Sequence, residues 1–152
     1  MRSVKAVKTL RHKITSHSKI FDETVEVYRK ALTYIVDVMD REFPDLEGWN
    51  SKSIVSAVER PIHATKKNPC PKYEDFDRLF YKFPSYFRRS AIAEAFGILQ
   101  SHRHRYERWL KEKREAEDEG RRFRKRPPKL QLNHRAFPVF YKDVMFQRTG
   151  DT

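Results

Sequence analysis

The sequence predicts an α+β protein in which helices are inserted between a first strand and a closing set of strands. Three observations give that order. An alternating apolar pattern opens the chain, two long amphipathic periodicities fill its middle, and short strand-like runs follow a proline pair near its end.

The opening pattern lies at residues 3–14. Val4, Ala6, Leu10 and Ile14 share one face and Lys5, Arg11 and Lys13 the other, while Lys8 breaks the apolar face and marks a bulge or strand end. Residues 18–42 read as a helix, because Phe21, Val25, Tyr28, Leu32, Ile35, Val36 and Met39 recur at three- and four-residue steps. Ser18 is placed to cap it, Asp22 and Glu23 suit its positive end, and Pro44 stops it.

Residues 44–73 are punctuated by Pro44, Gly48, Pro61, Pro69 and Pro71, which leaves room for a short helix near Ser51–Arg60, capped by Ser51 or Ser53. Phe76, Leu79 and Phe80 mark another short helical turn in residues 74–81. The strongest helical signal is residues 85–119, where Ser85 follows Pro84 as a cap and Ile92, Phe96, Leu99, Tyr106 and Leu110 form the stripe. Gly97 interrupts that stripe and implies close packing at its position. A helix of this length spans roughly 50 Å, more than a small core covers, so the charged turns Lys111–Glu119 are expected to project into solvent. Gly120 ends it, and the strand-like runs Leu130–His134 and Val139–Phe146 follow.

Charge narrows the function. The 152 residues carry 33 Lys and Arg against 21 Asp and Glu, a net +12, which favours a polyanionic partner. Residues 1–21 hold six basic side chains and no acid; residues 22–101 hold 12 basic and 13 acidic; residues 102–152 hold 15 and eight. The surplus therefore sits at the two ends, a segregation that solubility alone does not require. Its densest part is Arg121-Arg122-Phe123-Arg124-Lys125-Arg126-Pro127-Pro128-Lys129, with six positive charges in nine residues.

Several chemistries find no support. The longest run free of charged residues is the eight from Ala95 to His102, against roughly 20 for a membrane span, and Met1–Lys5 leads into no apolar signal core. A cytoplasmic protein is expected. The lone Cys70 allows neither an internal disulfide nor a multi-cysteine metal site, and it stands between two prolines with nothing to acidify it. His102 and His104 are two apart, on different helix faces, so no metal is expected. Four glycines form no phosphate-cradling loop. No catalytic residue and no cofactor are assigned.

The candidate binding residues are basic. Arg103, Arg105, Arg108 and Lys111 extend along the long helix with Tyr106 and Trp109 interleaved. Arginine meets phosphate through two N–H groups at once and aromatic rings stack on unpaired bases. Tyr106 is expected to pack into the stripe, leaving Trp109 as the freer ring. Arg88 and Arg89 stand in the first turn of that helix, where positive charge opposes the dipole unless an anion lies near.

Taken in order, these segments resemble the N-terminal portion of the OrfB/TnpB proteins of insertion sequences. The likeness rests on the basic opening strand, the helix with Tyr28-Arg29-Lys30-Ala31-Leu32-Thr33-Tyr34-Ile35, the run Phe83-Pro84-Ser85-Tyr86-Phe87-Arg88-Arg89-Ser90-Ala91-Ile92, and the basic proline linker. It spans residues 4–148. In that family, RNA-guided DNA nucleases related to type V CRISPR effectors, a wedge barrel and a helical recognition lobe hold guide RNA and read DNA. The resemblance implies an incomplete β-barrel with a first wedge strand at 1–16, a helical recognition lobe at 17–120, and a basic linker with wedge strands at 121–152. It implies nucleic acid as partner, guide-type RNA or duplex DNA or both, and not cleavage, since the family's RuvC-like carboxylates and zinc cysteines are missing here. A decayed copy, a split subunit and a reused domain all fit that pattern, with self-association or a separate nuclease portion as further partners.

The expected contacts are Lys5, Lys8, Arg11 and Lys13 on the first strand, Arg88, Arg89, Arg103, Arg105, Arg108 and Trp109 on the lobe, and Arg121, Arg122, Arg124, Lys125, Arg126 and Lys129 on the linker. The competing reading is a small interaction module that docks an acidic partner through its charged helix. Its appeal is that the glutamates of residues 111–119 would repel phosphate.

Overall fold

The computed structural model describes residues 18–132 and 136–138. The first helix, α1, spans Lys19–Glu42, and Ser18 Oγ accepts a hydrogen bond from the Ile20 N–H at its start. Tyr28, Leu32, Ile35, Val36 and Met39 are buried along the expected stripe, whereas Phe21 lies beyond the core and is exposed. The second helix, α2, spans Ser51–Ile62. Its cap is Asn50, not either serine. Asn50 Oδ1 accepts from the Lys52 and Ser53 N–H groups, and Ser53 Oγ accepts from the Asn50 N–H, a reciprocal box that satisfies the first turn. A single turn, α3, spans Asp75–Leu79, and α4 spans Ser85–Asp118. Pro84 occupies the cap position of α4 and Ser85 is its first helical residue, making no capping hydrogen bond.

Packing follows from the stripes. α4 lies against α1 and α2, and α3 docks on α2. Fully buried Ile54, Val58 and Ile62 of α2 meet Ile92 and Leu99 of α4 in one core with the α1 stripe. Phe76 of α3 is enclosed by Tyr34, Phe80 and Phe83, with ring centroids 4.9–6.2 Å apart. Tyrosine hydroxyls tie the elements together through carboxylates: Tyr28 donates to Glu94 at 3.0 Å, Tyr34 to Asp75 at 2.6 Å and Tyr73 to Glu42 at 2.6 Å. Burial, then the Asp75 carboxylate, push the Tyr34 phenol above its ordinary pKa. Glu42 also accepts from Lys72, and that bond followed by the Tyr73 bond holds its carboxyl below the usual range.

The α+β expectation is overturned. Among the described residues there are four helices and no strand, the nearest thing to a ladder being one isolated bridge between Thr65 and Asn68. Among the described residues no sheet or incomplete barrel surrounds the helices, and the run at residues 130–132 is irregular, with Leu132 packed on the helical core. The predicted strands at residues 3–14 and 139–146 lie outside the described residues. The physical reason is visible in what precedes Leu130: that segment finds its partners on α4 instead of on another strand.

The reversal begins with a glycine-terminated helix end. Gly120 adopts φ 65°, the Gly120 N–H reaches Glu117 O at 3.1 Å, and the Arg121 N–H reaches Ala116 O at 2.8 Å. Both bonds together form the Schellman motif, which turns the chain back along its own helix. Trp109 Nε1 then donates to Lys125 O at 2.9 Å, and His102 Nε2 lies 3.2 Å from Pro128 O. From Arg121 to Pro128 the chain thus runs from Ala116 back to His102, about 21 Å of helix at 1.5 Å per residue. Covering that in seven steps takes about 3 Å each, which is nearly extended backbone. This strap carries the chain back to the core, where Ala136 is buried and its carbonyl accepts from Arg29 Nε at 3.1 Å.

Two expectations about α4 change accordingly. Its charged last turns do not project alone, because the strap covers them and buries Ala116. Gly97 is exposed, and a methyl group placed on it meets nothing within 4 Å, so no close packing explains the glycine.

Candidate nucleic-acid interface

Extended backbone sends successive side chains to opposite sides, and the strap obeys this. Arg121, Phe123 and Lys125 find partners on α4 or at its C-cap, whereas Pro127 and Lys129 beyond them are exposed. Arg121 pairs with Glu119, Phe123 sets its ring edge-on to Trp109 at 5.8 Å, and Lys125 Nζ lies 2.7 Å from Glu112 Oε2. The even-numbered Arg122, Arg124 and Arg126 are exposed, and none makes an ion pair, hydrogen bond or ring contact with the described residues.

The flank of α4 adds to this row. Arg108 stands one helical turn before Glu112 and is exposed without an ion pair. Arg105 stands one turn before Trp109; its Nε donates only to Ser101 O in its own helix. Lys129 is exposed at the far end of the strap. The glutamates of the same region are matched by other cations, Glu115 by Lys111, Glu117 by Lys113, Glu119 by Arg121 and Glu112 by Lys125, while Asp118 is in no ion pair among the described residues. On the strap itself, Arg122, Arg124 and Arg126 remain uncompensated on a backbone that is tied down at Arg121, Lys125 and Pro128.

Other candidates sit elsewhere. Arg88 is 6% exposed and its guanidinium lies between α4 and α2, with its Nε and NH2 groups 3.0 and 2.9 Å from Glu59 Oε1. Arg89 reaches the other oxygen of Glu59 at 3.5 Å. The acid that relieves positive charge in the first turn of α4 is therefore Glu59. Arg103 donates to Phe43 O at 2.9 Å and to Asp40 at 3.1 Å, closing the end of α1 onto α4. None of these three joins the strap. Lys5, Lys8, Arg11 and Lys13 lie outside the described residues.

The two aromatic residues exchange their expected roles. Trp109 is the fixed ring, half-buried between Tyr106 and Phe123 with its N–H used by the strap. Tyr106 is the open one, 40% exposed, between His102 and Trp109 in a row of rings tilted 29° and 32° to their neighbours. Sequence reasoning missed this because only the returning strap decides which ring is covered.

Among the described residues no group of three or more His, Cys, Asp or Glu side chains is placed to hold a metal ion, and no helix is long and apolar enough to cross a membrane. The model of the Aq_aa04 family matches residues 8–152, and the chain belongs to that family. No curated protein and no solved structure matches it.

Proposed function

We propose that this protein binds nucleic acid along the strap, through Arg122, Arg124 and Arg126 with Arg105, Arg108 and Lys129 beside them. The observation that carries the reading is the alternation over residues 121–126, where Arg121, Phe123 and Lys125 have partners and the intervening Arg122, Arg124 and Arg126 are left uncompensated. Placing like charges about 6–7 Å apart on tethered backbone costs free energy by self-repulsion, which a row of phosphates would relieve. Guanidinium groups suit that role because each can donate two parallel N–H bonds to one phosphate. The resemblance to OrfB/TnpB proteins enters only as a reason to read the polyanion as nucleic acid; the wedge barrel plays no part. A cytoplasmic location belongs to the same proposal.

The acidic-partner reading loses its main support, since the glutamates of the α4 end are engaged by neighbouring cations. Salt dependence tests the proposal. Six phosphate contacts on a single strand give a slope of about −4 in log affinity against log salt, or about 300-fold weaker binding between 50 and 200 mM. Fluorescence anisotropy with a labelled oligonucleotide reads this directly, and affinity that stays within about 3-fold over that range contradicts it.

A further inference from the structure

We infer that the strand bound on the strap is unpaired, with its bases directed to the open ring of Tyr106. This rests on the reading of the strap arginines given above. It adds which form of nucleic acid they hold.

Three features of the helix and its strap carry the inference. The first is width. A helix with side chains is about 10–12 Å across, already the width of the major groove of duplex DNA. On α4 the face from His102 to Ala116 is additionally covered by the strap, so that face with its covering is too broad to enter the groove. The second is charge. The opposite face mixes Glu107, Glu115 and Asp118 with Lys111 and Arg114, and Glu115 is paired with Lys111, so this face offers no positive surplus to the phosphates of a groove if the helix entered the other way round. The third is the ring row itself. His102 and Tyr106 are tilted 29° to each other with centroids 6.3 Å apart, and Tyr106 and Trp109 32° at 5.6 Å. Tyr106 is the open member of that row, and its hydroxyl makes no hydrogen bond with the described residues. An exposed ring beside phosphate-binding arginines gains nothing from duplex bases, whose faces are already stacked. It gains from an unpaired base, of RNA or DNA alike, because every base has a face to offer.

The test uses the full chain and four labelled probes: single-stranded oligothymidylate, single-stranded oligouridylate, and a DNA and an RNA duplex of equal length, about 20 nucleotides so as to exceed the usual site. Tyr106→Leu keeps the apolar bulk and removes the ring; Tyr106→Phe keeps the ring. Stacking of one base predicts that the Leu variant binds at least one of the two single strands at least about 5-fold more weakly, while the Phe variant stays within about 2-fold of the parent. Parent binding to that single strand should exceed binding to either duplex by a similar factor. Whichever single strand shows the effect identifies the nucleic acid. Equal affinity for single strands and duplexes, or equal binding by the Leu and Phe variants, overturns the inference. If Arg122→Ala/Arg124→Ala/Arg126→Ala still abolishes binding in those cases, the strap reading survives without it. Binding by no probe, or binding indifferent to the three arginines, overturns both.

Discussion

Trp109 donates its indole N–H to the main-chain carbonyl of Lys125, sixteen residues on, at 2.9 Å. That bond, with the Phe123 ring against Trp109 and the Lys125–Glu112 ion pair, converts a run rich in arginine and proline into a fixed edge of α4. Strap cleavage by trypsin reports how firmly it is held, since six of residues 121–129 are basic. Trp109→Ala removes the hydrogen bond and the ring contact together and should speed native-state cleavage at the strap by roughly 10-fold or more, the equivalent of about 1.5 kcal/mol of lost local stability. Trp109→Phe, which loses only the N–H, should fall between the two. Equal cleavage rates in all three chains would mean the strap is not held this way.

The Arg88–Glu59 pair makes a different kind of claim. Both groups are largely out of water, and removing one leaves the other's charge uncompensated. Glu59→Ala should destabilise the fold by about 3 kcal/mol, read as a lowered urea midpoint with unchanged m-value. The folded fraction should bind oligonucleotide as the parent does, because the pair stands apart from the strap. A variant that kept its stability and lost binding would instead make Arg88 part of the interface.

Gly97 offers a gain. It lies in the interior of α4 with open space where a side chain would go. Gly97→Ala should raise stability by about 0.5–1 kcal/mol by restricting the unfolded chain and favouring the helix. A destabilised variant would mean that something occupies that space in solution.

Tyr34 and Glu42 set the behaviour at the two ends of the pH scale. The Tyr34 phenol is raised in the folded state by its burial and by the Asp75 carboxylate. Its contribution is complete below the ordinary tyrosine pKa of about 10 and is lost as pH rises through the folded value. Glu42 is depressed by Lys72 and Tyr73, so its contribution is present above the ordinary carboxyl pKa and is lost as pH falls through the folded value. Tyr34→Phe should cost about 1–2 kcal/mol at neutral pH for the lost hydrogen bond to Asp75, with a shallower alkaline decline than the parent's. Glu42→Gln should flatten the acid limb and, because Glu42 also raises Lys72 and Tyr73, part of the alkaline decline as well. Urea midpoints across pH for the three chains check both, and parallel curves would count against these assignments.

The helices were legible for a local reason. α1 and α4 carry their apolar residues at three- and four-residue steps, and Pro44, Pro84 and Gly120 punctuate them, so their ends fall within a residue of expectation. What the sequence left illegible depends on contacts distant along the chain. Leu130–His134 has the composition of a strand, yet Leu132 packs against a helical core while Leu130 and Gln131 are exposed, which no window of that run reveals. The basic stretch at residues 121–129 reads as uniform charge, and only its return along α4 separates Arg121, Phe123 and Lys125, which have partners there, from the arginines that face water. Arg88 did leave a trace. It sits four residues before Ile92 and seven before Ala95, on the buried stripe, where a charged side chain implies a buried partner.

The central claim is that the free arginines of the strap, and not net charge alone, bind the nucleic acid. Two variants that remove the same charge separate these: Arg122→Ala/Arg124→Ala/Arg126→Ala on the strap, and Lys52→Ala/Lys66→Ala/Lys67→Ala on exposed positions elsewhere. Anisotropy titrations of both, at one salt concentration near 100 mM, give the answer. The strap variant should lose at least about 30-fold in affinity and the lysine variant less than about 3-fold. Equal losses in the two would show that the protein binds polyanions by its overall charge, and the strap would have no special part in it.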